Sequence, residues 1–322
     1  MASEVTKTIG VSGRDYATIT LWEAQNLDLV SLDQIQIGEC YNDAAFSEGF
    51  TVTGWVADAT RYLKLTTGSG QRHSGIIQTG VRVLNPNNYQ YGWSFSQDYF
   101  QVIGIEFDCN NTSGITNKGG IGIAQYVNDL LIDKCIIWGF DGREALYAAY
   151  SGGGMKLYMS NSIIHPNSFT AGTVALSWNA DDSVYFYNNS IINTDGICLN
   201  MSSGPNFRAK NNIGKNSAGT NAFNGTFHAD SDYNASSDAT DAGGAHARNN
   251  QTFSFIDESN HDYHLALGDL GAKGFGIDLF GDPNFPVTDD IDGVSRVIPF
   301  DIGADQITLA GAMAKIYPHW WR

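Results

Sequence analysis

Val184-Tyr-Phe-Tyr-Asn-Asn-Ser-Ile-Ile192 is the stretch of sequence that decides the fold. Apolar Val184 and Phe186 alternate with Tyr185 and Tyr187, which is the period of two that places one side chain in a core and the next in solvent. Two asparagines follow, and asparagine tolerates the left-handed backbone of a tight corner and can bond along a ladder of stacked copies. The stretch therefore predicts a short strand, a polar corner and a second short strand.

This strand-corner-strand unit is repeated along the middle of the chain. The other copies are Phe100-Gln-Val-Ile-Gly-Ile-Glu-Phe107, Leu130-Leu-Ile-Asp-Lys-Cys-Ile-Ile137, Leu157-Tyr-Met-Ser-Asn-Ser-Ile-Ile164 and Phe207-Arg-Ala-Lys-Asn-Asn-Ile213. The position taken as equivalent is occupied by Ile105, Ile136, Ile163, Ile191, Ile213 and Tyr233, at steps of 31, 27, 28, 22 and 20 residues. Because such repeats bury their apolar side only against the next copy, they predict a parallel β-solenoid with Ile163 and Ile191 inside. The alternative is a β-sandwich in which the Asn-Ser-Ile-Ile strings are coincidental.

These repeats resemble the right-handed parallel β-helix family, the pectate-lyase-like superfamily. Gly13-Arg-Asp-Tyr-Ala-Thr-Ile19 with Trp22-Glu-Ala24 is similar to the opening of many such chains. Asp290-Ile-Asp-Gly-Val-Ser-Arg296 with Asp301-Ile-Gly-Ala304 is similar to their closing segment. The resemblance covers roughly residues 8 to 306 and implies an all-β fold, a right-handed single-stranded parallel β-helix. It leaves the activity open, because the superfamily contains lyases, hydrolases, adhesins and phage virion proteins.

The chain is expected to form one elongated domain with short additions. We predict an N-terminal arm and capping helix over residues 1–32, the parallel β-helix over 33–306 and an apolar C-terminal tail over 307–322. Thr20-Leu-Trp-Glu23 has the form of a capping box, which predicts a helix from about residue 20 to 29. Its expected role is to cover the open end of the first coil, and the alternative is a partner-binding helix.

Charge and composition limit the classes of partner. The formal charge of −16, from 34 acidic and 18 basic residues, disfavours nucleic acid, anionic membranes and polyanionic sugars as partners unless a basic groove forms locally, and the sequence shows no basic run. The first residues lack the apolar stretch of an export signal, so a soluble, unexported protein is expected. Four cysteines, Cys40, Cys109, Cys135 and Cys198, show no metal-binding spacing. They are expected to be buried thiols, although Cys109 and Cys135 could stack in neighbouring coils, and no cofactor or metal is predicted.

Insertions between the repeats are expected on one side of the solenoid, where a groove or contact surface would form. They are Asn110–Gly120, Gly139–Gly154 and Asn167–Thr173. Asn87-Asn-Tyr-Gln-Tyr-Gly-Trp93 brings three aromatic residues together. These aromatic side chains either enter the core or form an exposed surface on which sugars stack.

Carboxylate pairs are the residues to expect in a glycosidase. Asp181-Asp182 and Asn193-Thr-Asp195, with Arg208 and Lys210 to hold an anionic sugar, resemble strings of the polygalacturonase-type hydrolases. The order of the two strings is reversed relative to that family, and the Gly-His-Gly that should follow is absent from the sequence. Chance is therefore the preferred explanation of these strings.

A lyase would need a basic residue and a cation to neutralise the uronate carboxylate. The bases available in the central coils are Arg143, Lys156, Arg208 and Lys210, and their simplest interpretation is solvated charge on the outer face. Asp289, Asp290, Asp292 and Gly293 suggest calcium, but a calcium loop starting at Thr288 would place Pro299 where a glutamate is needed. A tight Asp-Gly turn that closes the fold explains this string.

The prediction for function is a non-catalytic bacteriophage virion structural protein, a capsid decoration or spike protein made in the host cytoplasm. The expected partners are two further copies of the chain in a homotrimer, other virion proteins such as the major capsid protein, and a host surface glycan. The expected interface residues lie in the tail: Ile316, Tyr317, Trp320 and Trp321. The alternative is a polysaccharide lyase or glycoside hydrolase of the tailspike depolymerase kind.

Overall fold

Three parallel sheets form the body of the protein. The computed structural model describes residues 1–86, 91–109, 119–123, 127–140, 144–149, 154–166, 174–177, 183–194, 196–201, 206–216 and 221–307. Successive strands enter the three sheets in turn, so that neighbours within a sheet are three strands apart in the sequence, except at the start of sheet 1 and the end of sheet 2. The chain is therefore an all-β parallel solenoid, as the repeats predict.

The strands of each sheet run in the order in which the chain makes them. Sheet 1 consists of Ser3–Ile9, Gln34–Cys40, Leu63–Thr67, Phe100–Ile103, Leu130–Asp133, Lys156–Ser160, Ser183–Tyr187 and Phe207–Lys210. Sheet 2 consists of Phe46–Ser47, Arg82–Leu84, Glu106–Asp108, Ile136–Trp138, Ile163–His165, Ser190–Thr194, Ile213–Asn216 and Ala235–Ser236. Sheet 3 consists of Phe50–Val52, Tyr91–Phe95, Gly119–Ile123, Leu146–Ala149, Val174–Ser177, Leu199–Met201 and Phe223–Asn224. A small antiparallel pair, Phe255–Asp257 with Asp262–Leu265, follows around the 3-10 turn Glu258–Asn260.

The corner between sheet 1 and sheet 2 is short and has the same form in successive coils. Its first residue has positive φ, as in Asn161 (49°), Asn188 (54°) and Asn211 (57°). The next residue forms a ladder: the Asn189 amide N–H donates to Asn212 Oδ1 at 2.9 Å, and the Asn212 amide N–H donates to Asn234 Oδ1 at 3.0 Å. The expectation of left-handed asparagine corners with a ladder is confirmed. The left-handed backbone and the ladder belong to adjacent residues, not to the same one.

The register differs from the one expected at Ile163 and Ile191. Ile163 pairs with Ser190, and Ile164 pairs with Ile191. Ile191 therefore belongs to the internal stack, whereas Ile163 points outward and is buried in a second hydrophobic cluster. The copy at 184–192 has one residue more before its Ser-Ile-Ile string than the copy at 157–164. A shift of one residue in a strand moves its side chains to the opposite face, so aligning the strings gave the wrong equivalence.

Two short helices replace the continuous helix expected over residues 20–29. They are Ile19–Glu23, capped by Thr18, and Leu29–Leu32, capped by Asp28. The break between them includes Asn26, whose φ of 43° does not continue a helix. No helix among the described residues has the length and apolar character needed to cross a bilayer.

The N-terminal segment packs onto the first coils of the solenoid. Strand Ser3–Ile9 pairs in parallel with Gln34–Cys40 and is the first strand of sheet 1. The Trp22 ring is buried in the main core, the large hydrophobic cluster that fills the inside of the solenoid. A side-chain carbon at Gly38 would come within 2.8 Å of this ring. The division of the chain at residues 32 and 306 stays a prediction.

Residues 251–307, which we call the closing segment, fold back over the outside of the solenoid. The second hydrophobic cluster joins outward residues of sheet 2 to the closing segment; its members include Ile136, Ile163, Ile192, Ile213, Phe253, Tyr263, Leu265, Ile291 and Ile302. A third cluster joins Tyr187 to Leu279, Val287 and Phe300. Tyr187 is therefore fully buried, and the expectation that it faces solvent is wrong. Sheet 2 has apolar side chains on both faces because both faces are covered.

Arg296 attaches the closing segment to a corner of the solenoid. Its guanidinium is buried, and Nη2 donates to Asn161 Oδ1 at 2.9 Å and to the backbone oxygens of Gly303 and Ala304 at 3.0 Å. Nε donates to the Asp289 backbone oxygen at 2.9 Å. A buried charge with this many acceptors fixes the position of the segment, because losing them would leave the charge uncompensated.

The two isoleucines provide a test of the register. Ile191→Ala and Ile163→Ala should each lower the free energy of unfolding by roughly 2–4 kcal/mol, since each leaves a cavity in a packed cluster. Ile163→Ala should also speed proteolytic cleavage within the closing segment, whereas Ile191→Ala should act on the solenoid as a whole. The measurements are denaturant unfolding and limited proteolysis.

The control is Ile256→Ala, because Ile256 lies in the closing segment but is exposed. This control should leave both readouts unchanged. The observed register is contradicted if Ile191→Ala has the stability of the wild type. It is also contradicted if Ile191→Ala, but not Ile163→Ala, speeds cleavage within the closing segment.

Candidate functional site

The outer face of sheet 1 carries a row of partly exposed side chains that we call the aromatic row: Leu131, Tyr158, Tyr185 and Arg208. The rings of Tyr158 and Tyr185 are stacked, with centroids 5.0 Å apart and planes 8° from parallel. The Arg208 guanidinium lies 5.3 Å from the Tyr185 ring centroid. The spacing of parallel strands and the exact register together produce this arrangement. The stacked rings turn their faces towards each other, so the row presents ring edges beside a cation, a surface that suits the apolar side of a sugar with an acidic group.

Arg208 is held at the end of this row by its neighbours. Its Nε lies 3.3 Å from Asp230 Oδ2, and Nη2 donates to His228 Nε2 at 3.1 Å. Within the row, the Phe285 ring of the closing segment packs against Tyr158 with centroids 5.1 Å apart. The charge of Arg208 is thus oriented and partly covered, so the expectation of a freely solvated charge is wrong for this residue.

Lys210 lies beside the aromatic row but serves another contact. Its Nζ donates to Asp282 Oδ2 at 2.7 Å, and the Asp282 side chain is 4% exposed. Burial acts against the charge of Asp282, but the bond from Lys210 holds the pKa of this carboxyl below its usual value. Lys210 therefore anchors the closing segment instead of facing solvent as expected. Lys156, in contrast, is exposed as expected.

Several expected site residues lie outside the described residues. They are Arg143, Asp181, Asp182, Asp195 and the tail residues Ile316, Tyr317, Trp320 and Trp321. The three insertions also fall largely outside the described residues. For two of the insertions, Asn110–Gly120 and Asn167–Thr173, the strand before the insertion belongs to sheet 2. The strand after it belongs to sheet 3.

Two aromatic residues of the string before residue 94 lie in different environments, and the third, Tyr89, lies outside the described residues. Trp93 is fully buried in the main core. Tyr91 points outward and stacks on Tyr147, with centroids 5.0 Å apart and planes 5° from parallel. Its hydroxyl donates to the Glu144 carboxylate. Sheet 3 therefore also carries a stacked tyrosine pair, but the neighbouring charge is an acid.

The Asp-rich string at 289–293 forms the tight turn expected from the sequence. Asp290 Oδ1 accepts the backbone N–H groups of Asp292 at 3.0 Å and Val294 at 2.8 Å, and Gly293 has a φ of 73°. Burial, followed by the charge of Asp305, raises the pKa of Asp290 to about 6. Asp289 forms an ion pair with Lys134 at 3.0 Å.

A buried histidine at the centre of three carboxylates was not predicted from the sequence. His264 Nδ1 lies 2.5 Å from Asp262 Oδ1, and Nε2 lies 3.1 Å from Asp292 Oδ2. Asp305 is the third carboxylate close to the ring. Burial alone would lower the pKa of His264, but the hydrogen bonds to Asp262 and Asp292 raise it to about 10. The residues are distant in the sequence, so no local spacing signals the cluster.

Two other titratable groups lie at the edge of the region that the closing segment covers. The His73 ring nitrogens contact the Lys134 backbone oxygen at 2.7 Å and the Gly75 amide at 3.2 Å, and burial lowers the pKa of His73 to about 4. Glu106 accepts from Trp138 Nε1 at 2.6 Å, and burial raises its pKa to about 7. Both groups are buried, so neither lies at an accessible site.

All four cysteines are buried free thiols, as expected. Cys135 follows the corner residue Lys134, whereas Cys109 follows strand Glu106–Asp108 and its amide donates to the Trp138 backbone oxygen at 2.9 Å. The two therefore do not occupy equivalent positions in neighbouring coils. Burial raises the pKa of Cys135 to about 12, and a protonated thiol is a poor nucleophile.

No protein-family model matches this chain, and no curated protein matches it. A β-solenoid supports many activities, so function has to follow from the side chains described above.

The charge on His264 leads to a prediction for alkaline pH. An unfolded histidine titrates near pH 6.5, whereas folded His264 has a pKa of about 10. Its contribution to stability is therefore complete below pH 6.5 and is lost as the pH rises towards 10. We expect the free energy of unfolding to fall by roughly 2 kcal/mol between pH 7 and pH 9 from this group.

Denaturant unfolding of the protein in the presence of a chelator measures how the free energy of unfolding changes with pH across this range. The slope in wild type should be mostly removed in His264→Gln. The surface variant His246→Gln is the matched control and should keep the wild-type slope. Equal slopes in wild type and His264→Gln would show that the ring is not held as an imidazolium.

Proposed function

We propose that this protein is a non-catalytic structural protein of a bacteriophage virion, of the capsid decoration or spike kind. The observation that carries the proposal is the use of its basic residues in structural contacts. Lys210 with Asp282, Lys134 with Asp289 and buried Arg296 fasten the closing segment to the solenoid. A virion protein has to stay folded outside the cell, where newly made copies cannot replace it. A solenoid held along its length by contacts with the closing segment suits that requirement.

The same proposal includes the finer features that the sequence resemblance implies. We propose that the coil is right-handed, as in the pectate-lyase-like superfamily, because strand connections of this parallel kind are right-handed in about 98% of cases. We also propose that helix Ile19–Glu23 covers the open end of the first coil. Buried Ile19 and Trp22, both in the main core, support this role.

Recognition of a host surface glycan is the second part of the proposal, and the aromatic row supports it. Tyr158 and Tyr185 present stacked, partly exposed rings, and Arg208 supplies an oriented cation at one end. An acidic sugar fits this surface, since its apolar side can pack on the exposed ring edges and its carboxylate can approach the guanidinium. A depolymerase that cleaves such a glycan is the alternative.

Deleting Ile316 to Arg322 tests the proposed assembly. We expect the full chain to be a homotrimer and the truncated chain to be a folded monomer, because large side chains stabilise by roughly 1.5–3 kcal/mol each when buried. Tryptophan and tyrosine are also frequent interface anchors. Light scattering gives the mass, and circular dichroism reports the fold.

The double variant Trp320→Ala with Trp321→Ala should behave like the deletion, and His319→Ala should behave like the wild type. A truncated protein that keeps the mass of the full chain would contradict the tail as the interface.

Glycan binding without cleavage is tested with pectate, alginate, hyaluronan and host capsule. We expect at least one of these acidic glycans to bind, with a loss of about tenfold in Tyr185→Ala, since an aromatic contact contributes roughly 0.5–1.5 kcal/mol beyond the area it buries. Tyr147→Ala is the matched control, because Tyr147 is stacked in the same way on sheet 3, and it should bind like the wild type. Calorimetry measures the affinity.

The same incubations are followed for unsaturated uronate absorbance and for reducing ends, neither of which should appear. Cleavage that is lost in Asp182→Ala or Arg208→Ala would support the depolymerase alternative. Equal binding by wild type and Tyr185→Ala would contradict the aromatic row as the glycan site.

A further inference from the structure

Three separate parts of the chain meet at His264. The strand Asp262–Leu265 carries His264, the tight turn after Asp290 carries Asp292, and Asp305 follows at the end of the closing segment. One potential ligand atom from each of His264, Asp292 and Asp305 lies within 4.8 Å of the other two. A metal ion bound by nitrogen and oxygen at about 2.0–2.2 Å keeps its ligand atoms roughly 3 to 4 Å apart. The three side chains are thus close to the spacing of a coordination shell.

The fourth residue, Asp262, orients the imidazole. Its carboxylate lies 2.5 Å from Nδ1, which leaves Nε2 pointing towards Asp292 at 3.1 Å. Histidines that bind metal ions in proteins commonly donate their other ring N–H to a carboxylate in this way. The orientation of the ring is therefore the one that a metal ligand needs.

Gly75 leaves space beside the ligand nitrogen. A side-chain carbon at this position would lie 2.3 Å from His264 Nε2 and 3.2 Å from Asp292 Oδ1. Any residue with a side chain would therefore fill the place next to both potential ligands. The absence of a side chain at Gly75 keeps this place free of carbon, and the Asp292 side chain is 18% exposed.

The charge of the cluster also suits a cation. Asp262, Asp292 and Asp305 surround one imidazole, and buried Asp290 lies close enough for its charge to be coupled to that of Asp305. A proton on Nε2 balances one negative charge, whereas a divalent ion in its place balances two.

We propose that His264 Nε2 and the carboxylates of Asp292 and Asp305 form a binding site for one divalent transition metal ion, Zn²⁺ or Mn²⁺. One imidazole with two carboxylates suits these ions, whereas Ca²⁺ and Mg²⁺ take oxygen ligands. The ion replaces the proton on Nε2 and ties the hairpin strand, the Asp-Gly turn and the end of the closing segment together. This inference goes beyond the proposed function and stands without it.

The test uses the full chain, stripped with a chelator and reloaded with Zn²⁺, Mn²⁺ or Ca²⁺. We expect one retained Zn²⁺ or Mn²⁺ per chain by elemental analysis, and a rise in Tm of roughly 5 °C at a hundredfold excess over the Kd. Ca²⁺ should give no comparable rise. Asp292→Asn should lose both the retained ion and the rise in Tm, and the matched control Asp289→Asn, three residues away and paired with Lys134, should keep them.

A second measurement covers the case in which Asp292→Asn does not fold. Co²⁺ added to the stripped wild-type chain should give visible absorption bands typical of mixed nitrogen and oxygen ligands, and excess Zn²⁺ should remove them. Two results would overturn the proposal: a stripped chain that neither retains Zn²⁺ or Mn²⁺ nor gives Co²⁺ bands, or an unchanged rise in Tm in folded Asp292→Asn. The first result would leave a proton between His264 and Asp292, and the second would place the ion elsewhere.

Discussion

The burial of sheet 2 on both faces is the constraint on which the rest of the structure depends. Its inner face belongs to the stack that fills the solenoid, and its outer face presents Ile136, Ile163, Ile192 and Ile213. Such a face in water is unfavourable by roughly 25 cal/mol for each square ångström of apolar surface. The closing segment meets this demand, and its turns and charged contacts all serve to hold it against the solenoid.

The charge distribution follows from the same constraint. The chain has 18 basic and 34 acidic residues, and several of the bases lie at the boundary between solenoid and closing segment. Lys134, Lys210 and Arg296 each connect the two parts, whereas an acidic residue such as Asp290 accepts from the backbone of its own turn. Arg208 differs from these three bases, because it belongs to the partly exposed aromatic row. Its partners Asp230 and His228 lie in the last coils and not in the closing segment.

Local pattern predicted the solenoid, since alternation and asparagine corners are properties of a few neighbouring residues. The register was harder, because one extra asparagine before Ser190 moves a whole strand to the other face. The cover on sheet 2 could not be predicted at all: Arg296 contacts Asn161 across 135 positions and Ala304 contacts Ser190 across 114. The His264 cluster was missed for the same reason. The aromatic row could be read from Tyr158 and Tyr185 only once the register was known.

The long contacts of the closing segment also bear on how the protein is made. In a simple solenoid each coil needs only its neighbour, so coils can form one after another as the chain leaves the ribosome. Here the apolar outside of sheet 2 stays uncovered until residues 251–307 have been synthesised. A nascent chain stalled near residue 250 would have its coils stacked but would expose the apolar outer face of sheet 2. That face would bind a chaperone or the same face of another stalled chain. Synthesis of residues 251–307 is therefore the step that removes this apolar face from contact with other chains.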